Sequence, residues 1–141
     1  MRAMALPTLE QLIEAGGTSF PGLVGLEIDR AGAGVVSAHL DLRPAHLAPN
    51  GYLHAGALVT LADTACGYGC VLSLPPGAAR FTTIELKVNF LATARDGTLA
   101  CDARRIHGGR TTQVWDATVT GPDGRTLALF RCTQLLLSGG A

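Results

Sequence analysis

The chain has 141 residues, with eleven Lys plus Arg balancing eleven Asp plus Glu, 48% hydrophobic residues and only 16% charged ones. That length suits a single domain with a sizeable core, and so low a charged fraction excludes a disordered polyelectrolyte. Zero net charge gives no general attraction to nucleic acid or to an anionic membrane, so neither is expected as a partner.

In chain order, Thr8–Ala15 (TLEQLIEA) has a Thr N-cap, apolar Leu9, Leu12 and Ile13 at helical spacing, and Gly16-Gly17 as a stop, which predicts a short leading helix. Leu23–Arg30 alternates, with Val24, Leu26 and Ile28 on one face and Glu27 and Asp29 on the other, as a strand does. Ala31–Gly34 turns it into a second strand, Val35–Leu42. Arg43–Leu53 holds two prolines and an Asn-Gly pair and reads as loop. Ala55–Ser73 then carries one formal charge in nineteen residues and predicts a helix of about 28 Å, ended by Pro75-Pro76-Gly77.

A span of that length raises the question of a membrane helix. Its glycines, alanines, hydroxyl residues and central aspartate argue against one, and a helix apolar on nearly every side is one buried on nearly every side. The covering follows it. Thr83–Leu91 alternates strictly, with Ile84, Leu86, Val88 and Phe90 expected inward and Thr83, Glu85, Lys87 and Asn89 outward. Strands over 98–106, 111–120 and 126–137 are separated by Asp96-Gly97, His107-Gly108-Gly109 and Pro122-Asp123-Gly124, each with turn chemistry. Two strands, a buried helix and four strands in meander order predict an α+β fold, an antiparallel sheet curled around a central helix. One domain spans the chain, with its core over about 23–137.

The zero net charge divides unevenly. Residues 1–70 hold three basic groups (Arg2, Arg30, Arg43) against six acidic ones; residues 71–141 hold eight against five, and Lys87 is the only lysine. Arginine suits planar recognition of phosphate or carboxylate. Cys66, Cys70, Cys101 and Cys132 form no C-x-x-C pair, which signals neither a zinc ribbon nor a redox couple. No basic region feeds an apolar stretch at the start of the sequence, so a cytoplasmic protein is expected.

Two features point to chemistry. Asp63 is a carboxylate in the middle of an apolar helix, a costly placement unless it is paired or opens on a cleft, and it is the candidate general base or nucleophile. The alternative is a structural hydrogen bond across a subunit interface. The start of the helix, Asn50-Gly51-Tyr52-Leu53-His54-Ala55-Gly56, presents unpaired N–H groups and partial positive charge, the makings of an oxyanion hole. His54 stands at its mouth, as a donor to a carbonyl or departing thiolate, or as a cap or packed histidine. Gly56 and Asp63 lie about 10 Å apart along the helix, too far to act on one carbonyl from one chain. Two chains related by a two-fold axis satisfy the geometry, so dimerisation is a consequence of the catalytic reading.

The sequence Gly51-Tyr52-Leu53-His54-Ala55-Gly56, then Leu61-Ala62-Asp63-Thr64-Ala65, then Thr82-Thr83-Ile84-Glu85-Leu86 resembles the hotdog-fold acyl-CoA thioesterases of the phenylacetate-pathway (PaaI-like) type, relatives of the 4-hydroxybenzoyl-CoA thioesterases. The resemblance covers residues 23 to 137. It implies hydrolysis of an acyl-CoA thioester by dimers or dimers of dimers, with no metal and no cofactor beyond the coenzyme A of the substrate. It gives Asp63 the part of base or nucleophile, Gly56 N–H that of oxyanion donor, His54 that of partner to the carbonyl or sulfur, and Thr83 that of a hydroxyl holding the attacking water. Two positions depart from the pattern. Ala55 replaces the first glycine of His-Gly-Gly, and Ala48 occupies the usual place of a catalytic Asn or Gln. Asn50 either replaces that amide from another loop position or is only an Asn-Gly turn. A literal His107-Gly108-Gly109 has no helix after it and reads as a hairpin turn.

For the rest of the substrate, Arg110, Thr111 and Thr112 match where relatives meet the nucleotide, and Asn89 and Phe90 are placed along the pantetheine groove. Arg80 and Arg95 are weaker choices for phosphate. Tyr52, Leu58 and Tyr68 are expected to border the acyl pocket or to pack in the core. A non-catalytic acyl-CoA or aromatic-ligand binding module is the alternative function on the same fold. A hydratase is a third, for which the required motifs are absent from the sequence.

Overall fold

The structure, a computed structural model, describes residues 5–139; Arg2 lies outside them. Helix α1 (Leu9–Gly17) begins where expected. The Thr8 hydroxyl accepts from Gln11 N–H, and the Gln11 side chain returns the bond to Thr8 N–H, a reciprocal cap that satisfies two otherwise orphaned donors. Helix α2 (Phe20–Val24) is a correction, since Leu23 and Val24 were assigned to a strand. Gly25 ends α2 at φ +87°, a left-handed conformation that glycine adopts without a Cβ clash. Strand β1 (Glu27–Gly32) starts only after that stop. Strand β2 (Val35–Asp41), a single 3-10 turn at Pro44–His46, helix α3 (Ala55–Leu72) and strands β3 (Ala78–Phe90), β4 (Thr98–Gly108), β5 (Thr112–Thr120) and β6 (Thr126–Ser138) complete the chain.

All six strands form one antiparallel sheet in the order β1-β2-β4-β5-β6-β3. The expected meander holds for β4, β5 and β6. It fails for β3, which lies beyond β6 at the far edge while β2 pairs directly with β4. The reason is α3: it crosses the inner face of the sheet and delivers the chain to the opposite edge. The inner face supplies the core in alternating positions, Val36, Ala38 and Leu40 from β2, Leu99, Cys101 and Ala103 from β4, and Trp115, Ala117 and Val119 from β5, as the two-residue strand period requires. Leu58, Leu61, Ala62, Ala65 and Cys66 of α3 pack onto them. Although α3 is long and apolar enough to cross a membrane by those measures alone, it is the core helix of this sheet.

The small residues of α3 allow that close packing. A methyl group at Gly69 would overlap the indole of Trp115, and one at Gly67 would press on the Phe81 ring. Trp115 is fully buried, and its Nε1–H donates to Gln113 Oε1 at 2.7 Å. Gln134, also fully buried, has no hydrogen-bond partner among the described residues for either end of its amide, a cost of about 1–3 kcal/mol that the fold carries.

Strand β3 also departs from the expected phase. Thr83 stands opposite Gln134 and Glu85 opposite Thr133, leaving Ile84 as an extra residue. This bulge shifts the two-residue alternation. Thr83 therefore faces α3 instead of solvent, and Ile84, expected inward, is 56% exposed. Leu86, Val88 and Phe90 lie across from or beside inward-facing Cys132 and Phe130, yet Leu86 and Phe90 remain about half exposed because β3 is an edge strand.

Candidate active site

Asp63 sits midway along α3, half-buried, with Thr83 Oγ1 donating to its Oδ1 over a long 3.5 Å. Burial pushes the carboxyl above its usual range, and the Thr83 hydrogen bond partly opposes that shift. The bulge at Ile84 is what brings Thr83 here, so two of the expected catalytic side chains meet through a feature of β3 that strict alternation conceals.

The N-terminus of α3 is organised by His54. It is the N-cap, and its Nδ1 accepts from Gly56 N–H at 2.8 Å. Accepting at Nδ1 leaves the ring proton of the neutral imidazole on Nε2, as a free donor. A Cβ at Gly56 would stand 2.9 Å from that Nδ1, so the ring's position requires glycine there. The Gly56 N–H expected to face a carbonyl is thus engaged by His54, while Ala55 N–H makes no hydrogen bond among the described residues. The donors left available at this end are Ala55 N–H and His54 Nε2–H.

Asn50 belongs to a closed loop. Its Oδ1 accepts from Tyr52 N–H at 3.1 Å, Gly51 N–H donates to Ala48 O at 2.9 Å, and Ala48 N–H donates to Tyr52 O at 2.7 Å. Gly51 takes φ +84° in this turn, which selects glycine. The amide nitrogen of Asn50 is the end left for other partners.

Arg43 and His46, read from the sequence as plain loop, anchor this region. His46 is buried; its Nδ1 accepts from Arg43 N–H at 3.0 Å and its Nε2–H donates to Val24 O at 2.6 Å. The Arg43 guanidinium donates to Leu23 O and Val24 O, the carbonyls at the end of α2, and His54 N–H donates to His46 O at 2.9 Å. The His54 backbone and α2 are therefore fixed to one another. The Arg43-x-x-His46 spacing was the available signal, but its partners lie about twenty residues earlier in the chain.

Two clefts open at the start of α3. One, of about 330 Å³, is lined by Phe20, Val24, His46, His54, Gly56 and Thr60, among others. The second, of about 400 Å³, is lined by Asn50, Tyr52, Leu53, Leu58, Phe90 and Thr93, among others. Phe90 thus lines the same cleft as Asn50 and Tyr52. Other expected residues are elsewhere. The Tyr68 hydroxyl donates to Leu12 O at 3.2 Å and lines a cleft beneath α1. Asn89 is on the outer face of the sheet, where its Oδ1 accepts from Lys87 Nζ. Arg110 and Thr111 line a cleft with Pro76, Ala78 and Leu136, and Thr112 follows them in β5. That cleft is at the opposite end of α3 from Gly56, and the eighteen-residue helix between them is about 27 Å long. The candidate residues therefore do not converge within one chain.

The thioesterase superfamily profile matches residues 50–128, a stretch that holds the start of α3, Asp63 and Thr83. The chain belongs to the thioesterase superfamily. This member is 34% identical over 110 residues to a 1,4-dihydroxy-2-naphthoyl-CoA hydrolase of Listeria monocytogenes, covering 78% of this chain and 89% of the relative. It is 27% identical to an enzyme of the same name from Escherichia coli over 92% of this chain and 95% of that one. A crystal structure of a mutant thioesterase from Pseudomonas aeruginosa matches with a TM-score of 0.86 and 30% identity, over 96% of this chain and 97% of the other. The fold is the hotdog fold, and the protein is a thioester hydrolase.

Proposed function

We propose that this thioesterase hydrolyses an aryl- or acyl-coenzyme A, with Asp63 of one subunit and the α3 N-terminus of its two-fold partner acting on one carbonyl. Asp63 carries the reading. It is the single formal charge of α3, half-buried beside Thr83, and its separation of about 10 Å from the helix-start donors suits two antiparallel helices meeting across a dimer axis. Strand β3 offers the means of association. It is a thirteen-residue edge strand whose outer edge has no partner among the described residues, and it exposes Ile84, Leu86 and Phe90, the kind of edge that pairs with another chain.

In this mechanism Asp63 takes a proton from water as the oxygen adds to the thioester carbon, or its own oxygen adds there directly to give a mixed anhydride that water then cleaves to the free acid. The negative charge passes to the carbonyl oxygen, held by Ala55 N–H and His54 Nε2–H, while Gly56 N–H fixes the imidazole that presents the latter. Collapse of the tetrahedral adduct breaks the C–S bond with His54 Nε2–H hydrogen-bonded to the departing sulfur, and the thiolate takes up the proton that Asp63 removed from water or, where Asp63 attacked directly, a proton from solvent. No cofactor enters the scheme. Two relatives named for a dihydroxynaphthoyl-CoA substrate favour an aromatic acyl group. Four free cysteines suit the cytoplasm.

Thiol release from a panel of aryl- and fatty acyl-CoAs tests the reading. Asp63→Ala should lower kcat by about a hundredfold or more; full activity in that variant ends the assignment.

A further inference from the structure

Strands β5, β6 and β3 are neighbours in the sheet, and their register sets three polar residues side by side: Gln113 stands opposite Gln134, and Gln134 opposite Thr83. Directly paired residues share a face, here the inner one, since Gln113 and Gln134 are fully buried and Thr83 reaches Asp63. A polar row thus crosses an otherwise apolar surface and ends at the carboxyl of α3. Its outer members are bonded on their far sides. Gln113 Oε1 accepts from Trp115 Nε1–H at 2.7 Å and from Ser73 Oγ–H at 3.4 Å, and Gln113 Nε2–H donates to Ser73 O at 3.1 Å. Thr83 Oγ1–H donates to Asp63 Oδ1 over 3.5 Å. Gln134, in the middle, has neither end of its amide partnered among the described residues.

The unused valences match. Gln113 keeps one amide hydrogen and Thr83 its hydroxyl lone pairs, while Gln134 offers an acceptor to the first and a donor to the second. Opposed Cβ atoms in a sheet lie about 5 Å apart, a gap that the amides of neighbouring strands span by side-chain rotation alone. No Lys, Arg or His forms an ion pair with Asp63 among the described residues, and the titratable side chains packed around this stretch of α3 are the thiols of Cys66, Cys101 and Cys132. The charge of Asp63 is therefore answered by hydrogen bonds.

We infer that Gln134 is a positioning residue for Asp63: when the carboxyl ionises, Gln134 Nε2–H donates to Thr83 Oγ1, Gln134 Oε1 accepts from Gln113 Nε2–H, and the closed row holds the Thr83 O–H on the carboxylate. The cost of an unpaired amide is borne while Asp63 is protonated and recovered as it ionises. The row thereby favours the charged form that burial opposes. The inference rests on the reading of Asp63 as base or nucleophile and adds what keeps it ionised. Being fully buried, Gln134 acts through Thr83 and not on the substrate.

Titration of Asp63, followed by NMR of its isotope-labelled carboxyl, tests this without requiring turnover. Gln134→Met, which keeps the length and loses the amide, should raise the Asp63 midpoint by about one pH unit, with no loss of melting temperature at acid pH, where the row is open. Thr83→Val should raise it as well, and Gln134→Met added to Thr83→Val should raise it no further. In kinetics Gln134→Met should carry the acid limb of kcat up with the midpoint while KM changes by less than about twofold. In the wild type, where folding is not in question, the side-chain amide signal of Gln134 should move with the same midpoint as Asp63. An Asp63 midpoint that Gln134→Met leaves in place overturns the inference. So does an undiminished rise on adding it to Thr83→Val, or a Gln134 amide signal that ignores the titration of Asp63. Full activity in Asp63→Ala ends the parent reading instead, and the NMR titrations do not depend on that result.

Discussion

Asp63 holds its charge in an unfavourable place, and that placement has a thermodynamic signature. Burial raises its carboxyl above the ordinary range near pH 4, so as pH rises the unfolded chain releases this proton before the folded chain does. The resulting penalty on the folded state is absent where both forms are protonated, grows above about pH 4, and is complete once the folded-state carboxyl has ionised. Asp63→Asn should therefore raise the melting temperature at pH 7 and give no gain below about pH 4. An equal gain at both pH values would show that the cost is not one of charge. The catalytic rate should fall on the acid side as Asp63 protonates, at a pH above that of an ordinary carboxylate. At this scale the sequence was readable for the unusual residues: one carboxylate in a nineteen-residue apolar run, and a histidine at its start. It was not readable for Gly56, because whether that N–H faces a ligand depends on the rotamer of His54.

At the scale of elements, α3 and the β4–β6 hairpins were legible because apolar periodicity and turn residues agree over long stretches. The β3 bulge was not. Sequence alternation continues past Ile84 without a break, and only pairing with Gln134 and Thr133 reveals the extra residue that turns Thr83 towards Asp63. Helix α2 was missed for a similar reason: Val24, Leu26 and Ile28 alternate, but Gly25 at positive φ divides them between a helix and a strand. The glycines of α3 make a prediction of their own. Gly69→Ala inserts a methyl into the buried Trp115 ring and should destabilise the fold by about 1–3 kcal/mol, read from the denaturant midpoint. Gly17→Ala, with nothing near its Cβ position, serves as the control and should have little effect. A neutral Gly69→Ala would mean that Trp115 has room to move.

For the whole molecule, the fold places one set of candidate groups at the start of α3, Asp63 in its middle, and Arg110 near its end. The balanced charge of the sequence conceals this arrangement, and no spacing rule reveals which groups belong to one site when the site draws on two chains. A two-chain site is the central claim, and subunit mixing tests it. Asp63→Asn and His54→Ala should each be nearly inactive alone. Unfolded together and refolded, they form mixed dimers in which one of the two sites has both wild-type residues, so thiol release should return to about a quarter of the wild-type rate. If the mixture stays as inactive as its two components, the residues act within one chain and the shared site is contradicted.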